Sequence, residues 1–370
     1  MATHVVCLDG TNQTKTQLDP TNIARIFDAL GGAAADAGNG SWETAAGAVT
    51  GKYLPGVGSQ GNPVLKLLGN AFGDGIAEPI VRGYTFLSRN YAAGDRIVIT
   101  GFSRGATAAR ALAGFVVGHG LLAPGRYDVN DKNAAYMRAI AAWYAYREPK
   151  PDFANQARLD LMAISTGKPF PRLVPADYTA PPQVQAVGVF DTVSSLGLPH
   201  LDAHGQAVFD FSICDTTLSP NVLNGFHALS ADETRDLFAP TYWAARAGVE
   251  QRVFAGAHSN VGGGYPERGL SDGALAWMLD RLETVAPVFD RTRIQPPLAP
   301  NPMDLARDDA ITPPFNVTPQ RARHFPESAL ASDPIIARWD QETEVFPSTA
   351  PKPYRATGVY ADGSALHPRP

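Results

Sequence analysis

A serine between two glycines is the feature of this sequence most suited to chemistry. Residues 97–114 read IVITGFSRGATAARALAG, so an apolar, β-branched run ends in GFSRG, which centres on Ser103, and an alanine-rich stretch follows. This is the G-x-S-x-G pattern, which between a strand and a helix predicts a sharp, strained turn that presents a nucleophilic serine. The glycines are needed because side chains beside that turn would collide with neighbouring elements. The alternative interpretation is a tight Gly-Ser turn that caps a helix.

The general base that such a serine needs is expected among the eight histidines of the chain. A serine hydroxyl is a weak nucleophile at neutral pH, and its base must itself be oriented by a carboxylate. His258 is favoured because it lies between the strand-like run RVFAGA and the glycine-rich SNVGGGY, and functional groups of open α/β sheets gather where strands end. His227, expected to begin a helix and either to line the pocket or to be buried, is the main competitor. His200, in a proline-containing loop, is a weaker one.

The acid is expected at the end of an apolar strand between the serine and the histidine, since that is the chain order in this type of site. Asp191, in AVGVFDTVSS, meets this condition, and Asp215 and Asp210 are weaker candidates. A helix N-cap is a second interpretation of Asp191. We therefore expect a triad in which His258 takes the proton of Ser103 and Asp191 holds the imidazole.

Donors for a developing oxyanion are expected from two backbone amides. One is the N–H of Arg104, directly after the nucleophile, and the other is that of Gly10 or Thr11, where the first strand ends. Asp9 is expected to position that loop or to bind substrate, with a turn-stabilising hydrogen bond as a further interpretation. The candidates for substrate contact are Asp9, Phe102 and His227.

The composition limits the classes of function. The chain has 370 residues, 44% of them hydrophobic, which is ample for a large core. Its formal net charge of −5 argues against nucleic-acid binding, which usually needs a basic patch, but leaves peripheral contact with a membrane open. The N-terminus lacks the pattern of a classical signal peptide, and no apolar stretch reaches the roughly 18 residues of a membrane span. We expect a cytoplasmic protein, or one exported without a classical signal peptide.

Neither a metal nor a cofactor is expected. The histidines and cysteines show no zinc-like spacing, and GVGSQG lacks the Lys-Ser/Thr ending of a phosphate-binding loop. Two cysteines, Cys7 and Cys214, give little evidence of a disulfide framework. Cys7 lies in the apolar run VVCL and is expected to be a small buried hydrophobe.

Short β-rich runs alternate with helical stretches along the chain, which predicts a mainly parallel sheet with helices on both faces. Strands are expected at residues 4–11, 95–100, 184–193 and 252–257. Helices are expected at 21–30, 64–91, 106–117 and 270–285, the last capped by Ser271 or Asp272. Residues 31–48 are predicted as a loop or weak helix, and 51–63 as turns.

Two regions depart from this alternation within a single expected domain, 1–370. Residues 124–182 are interpreted as a helical insertion with an aromatic stripe, which usually forms a packing surface and alternatively a lid over a site. Residues 289–370 are rich in proline and are interpreted as an irregular wrap over the core.

Several segments together resemble a known family. They are LDGT at 8–11, PTN at 20–22, YLPGVGS at 53–59, NYAAGDRIVITGFSRGATAARALAG, VGVFDTVSSLG, HALSADETRDLFAPTYW and VFAGAHSNVGGGY. They resemble the DUF2235 family, the catalytic domain of type VI secretion phospholipase effectors of the Tle1 kind. The resemblance covers roughly residues 4–288, with a weaker echo in SDPIIARWD and KPYRATG.

The resemblance implies an α/β-hydrolase core and a triad of Ser103, Asp191 and His258. It also implies hydrolysis of carboxylic esters, best known on phospholipids, and a secretion-system or immunity-protein partner. Tle1-type effectors often carry extra membrane-associating regions, and nothing in this sequence clearly supplies one.

The expected function is therefore a serine hydrolase that cleaves carboxylic esters through an acyl-enzyme, with lipid or phospholipid esters as substrates. One alternative is an esterase or thioesterase for small soluble or sugar esters, which acyl-chain preference and activation by lipid interfaces would distinguish. A second alternative is a non-catalytic binding protein with a vestigial triad, against which the complete Ser, Asp and His set argues.

Overall fold

A computed structural model describes residues 1–58, 76–128, 131–147, 171–193, 200–201, 207–208, 216–308 and 319–366. The strands are β1 (Thr3–Leu8), β2 (Ala35–Gly38), β3 (Ser41–Ala46), β4 (Val49–Leu54), β5 (Arg96–Phe102), β6 (Val184–Phe190), β7 (His200–Leu201), β8 (Ala207–Val208), β9 (Val222–Ser230), β10 (Val249–Phe254), β11 (Ala306–Arg307), β12 (His324–Phe325), β13 (Ala329–Ala331), β14 (Glu342–Phe346), β15 (Ser348–Pro353) and β16 (Val359–Tyr360). The α-helices are α1 (Asn22–Asp28), α2 (Ala77–Asn90), α3 (Arg104–His119), α4 (Lys132–Arg147), α5 (His258–Gly262), α6 (Gly269–Val285) and α7 (Asp333–Arg338).

A nine-stranded sheet in the order β13-β10-β9-β6-β5-β1-β4-β3-β2 organises the chain. The strands from β13 to β4 are parallel, and the β3–β2 hairpin adds two antiparallel strands at one edge. In register, Phe102 of β5 pairs with Phe190 of β6, so the carboxyl ends of these neighbouring strands lie side by side. The predicted α/β architecture with a mainly parallel sheet is confirmed.

Apolar side chains cover both faces of the sheet because successive residues of a strand point to opposite sides. Val6 and Leu8 of β1 pack in one core with α2, α3 and α4. Val5 and Cys7 pack in the other core with α1 and α6. Cys7 is fully buried, and burial raises the pKa of its thiol to about 12. It is therefore a neutral core residue at physiological pH, whereas Cys214 lies outside the described residues.

A buried ion pair joins the two helices of the second core. Arg25 of α1 donates to Asp272 of α6, and both side chains are fully buried. Asp272 also accepts from the Ala299 amide at 2.7 Å. This contact replaces the predicted cap of α6, because the N-cap position is taken by Arg268, whose side chain makes no capping bond.

Arg25→Met is expected to lower the free energy of unfolding by about 3–5 kcal/mol, because it leaves a buried carboxylate without its partner charge. The double variant Arg25→Met/Asp272→Asn should recover part of that loss, since the amide oxygen still accepts from Ala299 and no charge is stranded. Urea unfolding of the wild type and both variants measures the difference. A single variant as stable as the wild type would contradict the expectation.

The main secondary-structure errors concern residues 31–54. The Gly/Ala-rich stretch predicted as a loop or weak helix forms β2 and β3, and the segment predicted as turns begins with the end of β4. Pairing with β4 decides the outcome, since it supplies backbone hydrogen bonds and sets Trp42 opposite Tyr53. His227, predicted to begin a helix, lies within β9. The first part of the predicted 64–91 helix lies outside the described residues.

The helical insertion and the C-terminal tail both pack on this framework. In the insertion, Trp143 of α4 is buried against Phe115 of α3, with ring centroids 5.3 Å apart. The tail is largely irregular, but its strand β13 extends the central sheet parallel to β10. A third core cluster around Phe325 and Tyr360 joins the tail to the end of the sheet. None of the described helices combines the length and apolar character needed to cross a bilayer.

Candidate active site

Ser103 occupies a strained turn between β5 and α3. Its φ of 57° and ψ of −126° lie outside the regions that side chains other than glycine readily adopt, and such strain concentrates at functional sites. A Cβ on Gly101 would lie 2.4 Å from the Gly105 carbonyl oxygen, and a Cβ on Gly105 would lie 2.3 Å from the carbonyl oxygens of Leu8 and Asp9. Both glycines are thus required by close backbone approach.

The turn is joined directly to the strand that precedes Asp191. The Ser103 amide donates to the Phe190 carbonyl at 3.1 Å, and the Val193 amide donates back to the Ser103 carbonyl at 3.5 Å. Because β5 and β6 are sheet neighbours, the serine turn and the loop that carries Asp191 are held at the same edge of the sheet.

Asp191 and His258 form a buried hydrogen-bonded pair. Nδ1 of His258 lies 2.6 Å from Oδ2 of Asp191, and the Asp191 side chain is fully buried. The imidazole lies between the rings of Phe102 and Phe238, with centroid distances of 4.6 and 4.9 Å. This is the arrangement that holds a histidine in the tautomer with Nδ1–H toward the carboxylate.

The second ring nitrogen of His258 is the atom predicted to act as a base. Nε2 is buried and has no hydrogen-bond partner within the described part of the chain, so it makes no bond to the Ser103 hydroxyl in this structure. Catalytic hydrogen bonds are often long or poorly aligned before substrate binds. Phe102, the residue before Ser103, packs against the imidazole with the two rings tilted by 32°, which keeps the imidazole beside the serine turn.

Several donors keep the Asp191 carboxylate ionised. Burial by itself pushes its pKa up, but the charge of Arg323 and the hydrogen bond from His258 hold that pKa well below its usual range. The Ser230 amide also donates to Oδ1 at 3.0 Å. Asp191 has a φ of 41°, a backbone conformation that short polar residues tolerate best. Its carboxylate therefore serves the imidazole as a fixed negative charge.

Arg323 contacts the candidate acid Asp191, and nothing in the sequence pattern indicated this contact. It comes from the proline-rich tail, yet it is only 5% exposed and donates to both oxygens of Asp191 at 2.6 and 3.0 Å. The segment QRARHF, with its two arginines, has the appearance of a solvated surface stretch. Only the position of the tail over the sheet end shows its partner.

The predicted oxyanion loop lies against the serine turn. A Cβ on Gly10 would meet the Phe102 ring at 2.7 Å and the Ser103 Cβ at 3.4 Å. The Gly10 amide donates to the Asp9 carboxylate at 2.7 Å, which favours Thr11 over Gly10 as the second donor. The Arg104 side chain donates through Nε to the Thr11 hydroxyl, so it ties the start of α3 to this loop.

Asp9 anchors the oxyanion loop from inside the protein. Besides the Gly10 amide, its carboxylate accepts from the hydroxyls of Thr21 at 2.7 Å and Tyr53 at 2.6 Å. Asp9 is 2% exposed, and burial raises its pKa to about 6 in spite of these hydrogen bonds. The geometry favours its predicted positioning role over direct contact with substrate.

The raised pKa of Asp9 gives an expected pH dependence of stability. Because the folded-state pKa of about 6 exceeds the ordinary value of 3.8, the folded protein binds this proton more tightly than the unfolded chain. The contribution of protonated Asp9 to the free energy of unfolding is complete below about pH 4. It is lost as pH rises through 6, by an amount on the order of 3 kcal/mol. Urea unfolding from pH 4 to 7 should show this loss in the wild type relative to Asp9→Asn, and parallel curves would contradict it. Asp36→Asn, at an exposed position, is the control.

His227 is hydrogen-bonded to the loop that carries Asp191. It is fully buried on β9, its Nε2 accepts from the Thr192 amide at 3.2 Å, and its ring packs edge-on against Trp243. Burial lowers its pKa to about 3, so it is neutral at physiological pH. This placement favours a supporting role over substrate contact or base catalysis. The weaker candidates for the acid and the base, Asp210, Asp215 and the His200 side chain, lie outside the described part of the chain.

A cavity of about 380 Å³ lies elsewhere, between the β3–β4 hairpin, α2 and α4, and is lined by no residue of the triad. Its cations are at least partly neutralised within the protein. Lys52 pairs with Glu43 at 2.7 Å, and Arg82 pairs with Glu78 at 2.7 Å. We therefore take the serine turn, and not this cavity, as the candidate active site.

Comparison with known proteins gives one family and a few distant relatives. The model of the type VI secretion system phospholipase effector Tle1-like catalytic domain matches residues 3–281. An uncharacterized protein of Saccharomyces cerevisiae is 29% identical over 208 residues, which cover 52% of this chain and 27% of that protein. This chain thus spans about a quarter of the length of its curated relative.

Two solved structures are similar at low identity. An uncharacterized protein from Pseudomonas aeruginosa has a TM-score of 0.39 and 16% identity, covering 78% of this chain and 46% of that one. The Tle1 effector bound to the VgrG spike of the type VI secretion system has a TM-score of 0.39 and 17% identity, covering 72% of this chain and 52% of that one. The family match, which extends over most of the chain, confirms the Tle1-type resemblance: the chain belongs to the family of Tle1-like phospholipase effector catalytic domains.

Proposed function

We propose that the chain is a serine hydrolase that cleaves carboxylic esters through Ser103, Asp191 and His258. The observation that carries the proposal is the 2.6 Å pair of His258 and Asp191 beside a serine held at a φ of 57°. A purely structural turn would need neither a strained serine backbone nor a nearby buried acid paired with an imidazole whose Nε2 has no partner among the described residues. The family description supports hydrolysis of lipid esters.

In the proposed reaction, Nε2 of His258 takes the hydroxyl proton of Ser103 as the oxygen attacks the ester carbonyl. Asp191 stabilises the imidazolium, and the amides of Arg104 and Thr11 donate to the oxyanion. Collapse expels the alcohol, which receives the proton from His258, and leaves an acyl-enzyme. Water, deprotonated by the same imidazole, then releases the carboxylic acid and restores the serine. The products are one acid and one alcohol for each water consumed.

Phospholipid or other lipid esters are the substrates we propose, with peripheral membrane contact as the corollary. The support is the name of the family, whose model describes phospholipase effectors. A partner from the secretion system, or an immunity protein, is a proposal of the same kind. So is a location in the cytoplasm, or export without a classical signal peptide.

A fluorophosphonate probe tests the nucleophile without assuming a substrate, because it reacts with activated serines. Labelling at Ser103, located by peptide mass spectrometry and lost in Ser103→Ala and His258→Gln, is the expected result. Ser259→Ala is the matched control, since Ser259 is a partly exposed serine beside His258. Labelling at another residue, or none, overturns the proposal and favours a vestigial triad.

The substrate class is tested by acyl-chain length and by physical state. Esters of short and long acids, as monomers and in micelles or phospholipid vesicles, should be cleaved faster when the chains are long and presented at an interface. A preference for short, monomeric esters or thioesters would instead identify the enzyme as a soluble esterase.

A further inference from the structure

Arg323 makes more contacts at the proposed site than the triad requires. Nη1 donates to Oδ1 of Asp191 at 2.6 Å and to the carbonyl and hydroxyl oxygens of Ser230 at 2.9 and 2.7 Å. Nη2 donates to Oδ2 of Asp191 at 3.0 Å and to the Phe238 carbonyl at 2.7 Å. One planar guanidinium thus joins the acid, the end of β9 and the residue that packs on the His258 ring.

The segment that carries Arg323 is fastened to the protein on both sides. The Arg321 amide donates to the Thr234 carbonyl at 2.7 Å, and the Val359 amide donates to the Arg323 carbonyl at 3.0 Å. The next two residues form β12, which pairs with β16. This segment lies beyond residue 281, where the family match ends, so the match assigns it no role.

We propose that Arg323 is a positioning residue of the triad, supplied by the C-terminal tail, which holds the Asp191 carboxylate toward His258 and balances its charge. The inference rests on the proposed function for its catalytic readout. It makes the tail part of the active site and not only a cover for the core.

The first part of the role is orientation. Oδ2 of Asp191 accepts from His258, Arg323 and the Ser230 hydroxyl, while Oδ1 accepts from the Ser230 amide and Arg323. Because the planar guanidinium donates to both carboxylate oxygens, the carboxylate cannot rotate away from the imidazole. A lysine at this position would supply the charge but not the two parallel bonds, because its ammonium is a point charge on a flexible stem.

The second part of the role is charge balance around the imidazole. Asp191 faces the His258 ring, and Glu233 accepts from the His258 amide at 3.3 Å. Arg235 neutralises Glu233 through bonds of 2.7 and 2.8 Å, as Arg323 neutralises Asp191. Among the described residues that these contacts place around His258, loss of Arg323 leaves two carboxylates and one arginine. Such an excess of negative charge favours the protonated imidazole, which is inactive as a base.

Arg323→Gln, Arg323→Lys and the control Arg321→Gln test this role. Arg321 lies on the same segment but its side chain is 75% exposed. We expect Arg323→Gln to lower kcat by about 10- to 100-fold with little change in KM, and to move the acidic limb of the pH profile up by about one unit. In Arg323→Lys, the position of the acidic limb should return closer to the wild-type position than kcat returns to the wild-type value. Arg321→Gln should match the wild type in both. An unchanged limb in a folded Arg323→Gln protein contradicts the role.

A titration of the histidine ring tests the same inference without catalysis. NMR of protein with labelled histidine, assigned through His258→Gln, should show the His258 resonances changing over at higher pH in Arg323→Gln than in the wild type. If Arg323→Gln does not fold, Arg323→Lys serves for both measurements, with a smaller displacement expected. Unchanged titration overturns the role of Arg323. Absence of fluorophosphonate labelling in the wild type, with the titration displaced, overturns the proposed hydrolase instead.

Discussion

Ser103→Ala is expected to lower kcat for ester hydrolysis by about 10⁴- to 10⁶-fold while the protein stays folded. The loss is large because the variant has no atom to form the acyl-enzyme, and what remains is the rate that oxyanion binding and proximity give to water. The fold should persist because alanine keeps the Cβ and removes only the hydroxyl. The backbone strain at a φ of 57° is the same in both proteins.

Steady-state kinetics and thermal unfolding on the same preparations measure this pair of effects. Ser103→Gly separates strain from chemistry, since glycine relieves a conformation that costs side-chain-bearing residues on the order of 1–3 kcal/mol. It should be more stable than Ser103→Ala and equally inactive. Ser259→Ala should keep wild-type kinetics. Activity in Ser103→Ala within tenfold of the wild type would mean that another group performs the chemistry.

Asp191→Asn is expected to lower kcat by about 10⁴-fold, because a neutral amide neither stabilises the imidazolium nor selects the Nδ1–H tautomer of His258. Asparagine is the suitable substitution, since it tolerates the φ of 41° observed at this position. The variant should also lose about 3–5 kcal/mol of stability, because Arg323 keeps a buried charge without its partner. Both effects arise because the Asp191 carboxylate pairs with both His258 and Arg323.

The pH dependence of stability distinguishes this variant further. Because the folded-state pKa of Asp191 is held well below its usual range, the pair with Arg323 contributes in full above the ordinary aspartate pKa and is lost only as pH falls through the folded value. Unfolding free energies of the wild type and Asp191→Asn should therefore differ most above about pH 4 and converge in stronger acid. Asp36→Asn, at an exposed position, should track the wild type. Equal stability at neutral pH would refute the ion-pair account.

The sequence pattern predicted the candidate site residues that lie just after strands of the central sheet. Ser103, Asp191 and His258 each follow an apolar strand, and β5, β6, β9 and β10 are consecutive neighbours in a parallel sheet. Parallel strands bring their carboxyl ends to one edge, so strand order and polar strand ends suffice to indicate a common site. The β2–β3 hairpin escaped prediction because its residues have low strand propensity and gain their structure from pairing with β4.

The sequence by itself determined the α/β class and the strand-end residues from which the triad was inferred, because strand periodicity and the glycines around Ser103 are local properties. The tertiary structure alone decided how the acid is held. His258 and Asp191 are 67 residues apart, and Arg323 reaches Asp191 across 132 residues. The tail that carries Arg323 is aperiodic, so its contacts depend on where it docks and not on any local pattern. Sequence thus specified the candidate reactive groups, while long-range packing specified the charges that surround them.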